Sequence, residues 1–305
     1  MAHAEVYRRQ VGLLIRVLPQ VAKETAFALK GGTAINLFVR DMPRLSVDID
    51  LTYLPVKDRP ASLSAIDEAM KRIAASVERA VPGSHVTLSQ LKPDNIATKV
   101  IVRAQGAQVK IEVTPVLRGC VYEPATMGVA PAVEEEFGFA QAQVVSFADL
   151  YAGKIVAALD RQHPRDLFDV RDLLANEGVG DELRRAFLIY VLSHDRPIAE
   201  ILAPNRRDVA QEFHRGFDGM TTEPVSLDEL LAARESLIAI MVGEMPQPHR
   251  AFLIGFKRGD PDWSLSGIPN AEQLPAVQWK LHNLGKLPDE KRALLVTELE
   301  KVLLS

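Results

Sequence analysis

The chain has 305 residues, enough for two domains or one large domain with an appendage, and 47% of them are apolar, so each part can bury a core. No apolar run approaches the ~18 residues of a membrane span, Met1 to Gln10 lacks the apolar core of a signal peptide, and a single cysteine, Cys120, excludes an intramolecular disulfide. The net charge of −4 is uneven, with 17 basic and 15 acidic side chains in residues 1–145 and 19 and 25 in the rest, a difference that permits an anionic partner without demanding one. These features predict a cytoplasmic protein, with no membrane partner and with Cys120 as a small buried hydrophobe.

Val6, Val11, Leu14, Ile15 and Leu18 recur at helical spacing and predict an amphipathic helix over about 4–18. A short strand over 26–29 runs into Gly31-Gly32-Thr33, and a helix-like segment follows. Residues 46–53 alternate and predict a second strand. A helix over 63–80 ends at Pro82-Gly83, and three strands follow at 86–91, 97–104 and 108–116, the last two forming a hairpin about Gly106. Residues 119–145 are rich in Gly, Pro and Glu and predict an irregular connection. Beyond it the pattern is helical: 146–161, opened by Ser146 and Asp149 as a capping box, then 166–175, 181–193, 226–242 with Ser226 and Glu229 as a second box, and 288–304. Trp263 and Trp279, in a Gly/Pro-rich stretch, are expected to anchor the core. The predicted architecture is α+β, with a mixed-sheet half (1–145) and a mainly α-helical half (146–305).

Asp48 and Asp50 sit one residue apart in an apolar strand, so both carboxylates point to the same face. Buried acids are expensive unless paired or metal-bound. Glycines allow close backbone approach to phosphate, and a following helix start favours negative charge. A phosphate cradle beside two acids fits a divalent metal held against a nucleoside triphosphate. Glu112, on the polar side of the 108–113 strand, is the natural third acid, and three acids would hold two ions. Its plainer reading is an exposed edge-strand face. Lys154 and Arg161, two helical turns apart, share one face, and with Arg165, Asp166 and Asp169 either neutralise phosphate charge or form an ordinary solvated face. Arg44 and Ser46 precede the acid pair and either touch phosphate or close the loop. The seven histidines show no ligand spacing.

These motifs resemble those of the AbiEii/MenT nucleotidyltransferase toxins, a branch of the DNA polymerase β-like superfamily. Gly31-Gly32-Thr33 with Arg44-x-Ser46-x-Asp48-x-Asp50 is similar to the first family motif, and Val109-Lys110-Ile111-Glu112 to the second. Leu150-x3-Lys154-x6-Arg161-x3-Arg165-Asp166-x2-Asp169 is similar to the third. The segments around Trp263 and 274–280 are similar to the family's tail. Gln108 stands where a lysine is common, and the third acid is Glu rather than Asp. The resemblance implies a polymerase β-like core with a helical domain completing the cleft. It implies a toxin of a bacterial toxin–antitoxin or phage-defence module that uses Mg²⁺, in two ions, and an NTP. Asp48, Asp50 and Glu112 then bind metal, and with Lys154 they are the catalytic set. Gly31, Gly32, Thr33, Ser46, Lys154 and Arg161 bind nucleotide, supported by Arg44, Lys110, Arg165, Asp166 and Asp169. The implied partners are tRNA, modified at its 3′ end, and an AbiEi-like winged-helix antitoxin repressor. Other readings are transfer to a protein or small molecule, a non-catalytic module binding nucleotide or antitoxin, and a glycosyltransferase using Asp48-x-Asp50.

Overall fold

The computed structural model describes residues 2–304 and divides into two compact units, 1–146 with 218–224, and 147–217 with 225–305. The first unit runs α1 (Ala2–Val21), β1 (Phe27–Lys30), α2 (Gly31–Ala34, continued by a π-helical turn Ile35–Val39), β2 (Asp48–Tyr53) and α3 (Arg59–Ala80). It continues through β3 (His85–Leu91), β4 (Ile96–Ala104), β5 (Ala107–Arg118), β6 (Ala125–Gly128), α4 (Pro131–Phe137) and β7 (Gln141–Val144). The seven strands form one mixed sheet in the order β3-β4-β5-β2-β1-β7-β6. β2 pairs antiparallel with β1 and parallel with β5, so the acid-bearing strand sits centrally.

The pattern of side chains explains these elements. In β2, Ile49, Leu51 and Tyr53 are buried, and Asp48 and Asp50 alternate to the other face. β4 and β5 join through Gln105-Gly106, both at positive φ (50° and 75°), which is a two-residue hairpin turn of the kind that matches strand twist. α1 and α3 pack on the sheet, burying Leu14, Val17, Leu18, Ile66, Ile73 and Val77. α3 begins at Arg59 rather than 63, because the Asp58 side chain accepts from the Ala61 N–H at 2.8 Å and Pro60 sits in the first turn.

Residues 119–145, expected to be irregular, instead contain β6, α4 and β7. The strands have four residues each, too few to show alternation. β7 is fixed by a distant partner, with Val144 opposite both Leu29 and Ala125.

The second unit contains α5 (Phe147–Arg161), α6 (Pro164–Asn176), α7 (Asp181–Leu192), α8 (Ile198–Leu202), α9 (Ala210–Gly216), α10 (Leu227–Ile238), α11 (Gln247–Arg258), α12 (Pro275–Gly285) and α13 (Asp289–Leu304). α5 packs on α6 and α7, α6 on α10, and α11 on α13. The capping box of Ser226 and Glu229 is formed. Trp263 anchors the core, its ring 5.5 Å from Phe252 and 6.2 Å from Phe256. Trp279, expected to do the same, is 57% exposed and stands 5.7 Å from the His282 ring. Cys120 is half-buried rather than a core residue. Among the described residues no helix is long and apolar enough to cross a membrane.

Candidate active site

The turn from β1 into α2 is shaped by contacts that exclude side chains. Gly31 has φ +75°, and a Cβ there would lie 2.7 Å from Asp50 Oδ2. A Cβ on Gly32 would lie 2.8 Å from Arg44 Nη2 and 3.1 Å from Ser46 Oγ. The Thr33 hydroxyl donates to the Asp48 carbonyl at 2.5 Å and lies 3.0 Å from the Ser46 hydroxyl. Asn36 secures the turn by donating to the Gly32 carbonyl at 2.9 Å. Arg44 is buried and donates to the Leu45 carbonyl at 3.1 Å. Gly31, Gly32, Thr33, Arg44 and Ser46 are thus brought against the strand that carries the acids.

The register of four strands lines up Lys30, Asp50, Glu112 and Lys99 as one row, on β1, β2, β5 and β4. Asp48 pairs with Lys110 in the next row. Lys99 reaches Glu112 at 3.2 Å, and Lys110 reaches Glu112 at 2.9 Å and Asp48 at 3.9 Å. Burial raises the Asp50 carboxyl, and the neighbouring Asp48 raises it further, against the pull of Lys30 and Lys110. Burial also works to raise Glu112, but Lys110 and Lys99 outweigh it and hold it low. Lys30 is lowered by burial, opposed by Asp50 and Glu112.

The sequence alone assigns no role to Lys30, although it opens the glycine stretch, nor to Lys99. The available signal was position: Lys30 directly precedes the glycine pair, and Lys99 lies on the polar side of its strand.

Two adjoining carboxylates, one destabilised as an anion by the other, have the donor chemistry of a hard divalent cation. Asp48 and Asp50 fit that role. Glu112 is held by its two lysines, and among the described residues no group of three or more His, Cys, Asp or Glu side chains is placed to hold one ion.

In the helical unit, Lys154 is buried between Asp166 (2.8 Å) and Asp169 (2.9 Å), and Arg161 bonds Asp166 at 2.5 and 3.0 Å. Burial works to raise the Asp166 carboxyl, but Lys154 and Arg161 hold it well below the usual carboxylate range. Lys154, Arg161, Asp166 and Asp169 therefore form one cluster. Arg165 points elsewhere, donating to the Gly216 carbonyl at 3.2 Å, while its backbone N–H is accepted by His163 Nδ1 at the start of α6.

No curated protein matches the chain. Among solved structures the fold is similar to that of MenT4, nucleotidyltransferase toxin Rv2826c from Mycobacterium tuberculosis H37Rv, with a TM-score of 0.62 and 16% identity over 93% of this chain and 95% of that one. A family model described as nucleotidyl transferase AbiEii toxin, type IV TA system, matches residues 12–283. With that match spanning both the acid-bearing sheet and the Lys154 cluster, the chain belongs to the AbiEii nucleotidyltransferase toxin family of type IV toxin–antitoxin systems.

Proposed function

We propose that this toxin transfers a nucleoside monophosphate from an NTP to the 3′-terminal hydroxyl of tRNA in a Mg²⁺-dependent reaction in the cytoplasm. A tRNA extended there can no longer be aminoacylated, and translation stops. The acceptor oxygen bonds to the α-phosphorus while the bond from that phosphorus to the oxygen bridging to the β-phosphate breaks. Pyrophosphate leaves, and the acceptor proton passes to a carboxylate.

The observation that carries the reading is the Asp48–Asp50 pair pressed against the Gly31-Gly32 turn, with a Gly31 Cβ excluded by Asp50 itself. Asp48 and Asp50 are the residues to hold a divalent ion, which when bound neutralises phosphate charge and makes the acceptor oxygen a better nucleophile. Glu112, opposite Asp50 on the neighbouring strand, is assigned the acceptor proton. Backbone N–H groups of Gly32 and Thr33 at the start of α2 hold the terminal phosphates. In the helical unit, Asp166 and Asp169 fix the Lys154 ammonium. A winged-helix repressor of the AbiEi type is the assigned antitoxin.

The test is incubation with Mg²⁺, each α-labelled NTP in turn, and bulk bacterial tRNA, alongside Asp48→Ala. Label on tRNA with wild type alone is expected. Equal labelling by a folded Asp48→Ala protein would overturn the mechanism. Unlabelled tRNA with nucleotide binding intact would move the acceptor to a protein or small molecule.

A further inference from the structure

The acid row does not end at Glu112. The register extends it across β4 to β3, and three rows cover one face of these strands: Ser89–Lys99–Glu112, Thr87–Ile101–Lys110 and His85–Arg103–Gln108. The opposite face of the same strands carries Ala97, Val100, Val102, Val109 and Ile111, all fully buried. On the first face His85, Thr87, Ser89, Arg103 and Gln108 are exposed, and Lys99 and Lys110 are half-exposed. These three rows hold three cations, Lys99, Arg103 and Lys110, one acid and a single apolar side chain, Ile101.

With adjacent strands about 4.8 Å apart, the surface reaches about 14 Å outward from Asp50 on β2 to β3. It leads into the acids from the side opposite β1 and its glycine turn. Donor phosphates belong with the glycines, so the β3–β4–β5 side is left for the acceptor.

We propose that this open face is the shelf that receives the phosphodiester backbone of the RNA acceptor, with Lys99 and Arg103 making phosphate contacts and Thr87 and Ser89 adding hydroxyl donors. The inference rests on the RNA-acceptor reading above. Its composition suits a phosphate backbone, which is held by Lys, Arg and hydroxyl side chains. It does not suit a protein partner, which needs an apolar or aromatic anchor at the centre of the contact. The shelf positions the strand and carries no base recognition, so it binds without regard to sequence.

The test is equilibrium binding of bulk tRNA across a salt series, together with binding of a fluorescent NTP analogue, for wild type, Arg103→Gln, the Lys99→Gln/Arg103→Gln double variant, and Lys23→Gln as an exposed cation elsewhere on the same unit. Each shelf cation removed should lower the slope of log affinity against log salt by about 1. The double variant should bind tRNA at least about tenfold more weakly near 100 mM salt, while Arg103→Gln keeps wild-type NTP affinity and Lys23→Gln is indistinguishable from wild type. Arg103→Gln leaves the Lys99–Glu112 pair in place, so it keeps the test valid if the double variant folds poorly. Wild-type tRNA affinity and slope in a folded Arg103→Gln protein would overturn the shelf while leaving the RNA-acceptor reading standing. Failure of the wild type to bind tRNA, with NTP binding intact, would overturn both.

Discussion

At the scale of single residues, the strongest constraint is steric. Gly31 combines a left-handed backbone with an approach to Asp50 that leaves no room for a methyl group. An alanine there meets the backbone strain of a non-glycine residue, about 1–3 kcal/mol, and must also displace the Asp50 carboxylate. Gly31→Ala is therefore expected to lower nucleotidyl transfer by at least about tenfold, with a drop in melting temperature too small to account for it. Thermal unfolding and a transfer assay on the same preparation check this. Wild-type transfer would mean that Asp50 need not hold its present position. Gly32 differs, because a methyl there meets side-chain ends, Arg44 Nη2 and Ser46 Oγ, rather than the acid. Gly31→Ala thus reports on the Asp48–Asp50 carboxylates, and Gly32→Ala on the loop that carries Arg44 and Ser46.

At the scale of elements, α5 and α6 are joined through Lys154 and Arg161. Lys154, 6% exposed, faces Asp166 and Asp169, which are 1% and 0% exposed. Removing the ammonium takes one partner from each of two buried carboxylates, although Arg161 still bonds Asp166, and breaking a buried pair in this way costs about 3–5 kcal/mol. Lys154→Met should destabilise the helical unit by that order in denaturant unfolding, even though the replacement is apolar and similar in length. The sign with pH follows from Asp166. Its carboxyl is held below its unfolded value of about 3.9, so the stabilisation is present above about pH 4 and is lost as pH falls below it. The gap between wild type and Lys154→Met should therefore shrink on acidification, measured as ΔG of unfolding at pH 7 and at about pH 2.5. A gap independent of pH would show that packing, not charge, sets the cost.

The same elements show what a single sequence can and cannot disclose. β2 and the helices α1, α3, α5, α6, α7, α10 and α13 are legible because burial on one face writes a period of 2 or 3.6 into the chain. β6 and β7 are not, since four residues hold barely one repeat and their partners lie far away in sequence. α11 and α12 were lost behind the Gly and Pro residues that in fact bound them: Pro248 and Pro275 lie in first turns, and Gly259 ends α11 in a left-handed conformation. In the site, Asp48 and Asp50 declared themselves as charges within an apolar run. Lys30 and Lys99 gave no such sign, because a lysine at a strand end or on a polar face is ordinary until the register places it beside an acid.

At the scale of the whole chain, the first unit is not continuous. Residues 218–224 belong to it although they lie far beyond residue 146 in sequence. They contact the loop that carries Arg44: the Leu45 N–H donates to the Met220 carbonyl at 3.1 Å, Thr222 N–H donates to the Pro43 carbonyl at 3.0 Å, and Arg44 bridges to Thr221. That loop also carries Ser46, which lies against Thr33 at the start of α2. A fragment ending at residue 146 keeps all seven strands but loses the acceptor for Leu45 and the donor to Pro43. Its sheet should fold, because α1 and α3, which pack on it, lie before residue 146. Its 43–46 loop should not be ordered, because a backbone N–H that has lost its acceptor and its cover exchanges freely. Hydrogen exchange on the fragment is therefore expected to show protection of β2, β4 and β5 comparable to the full chain and loss of protection at Leu45. NTP affinity should fall when the loop no longer braces the glycine turn. A fragment that protects Leu45 as the full chain does would show that the loop is ordered by the sheet alone, and that residues 218–224 merely rest on it.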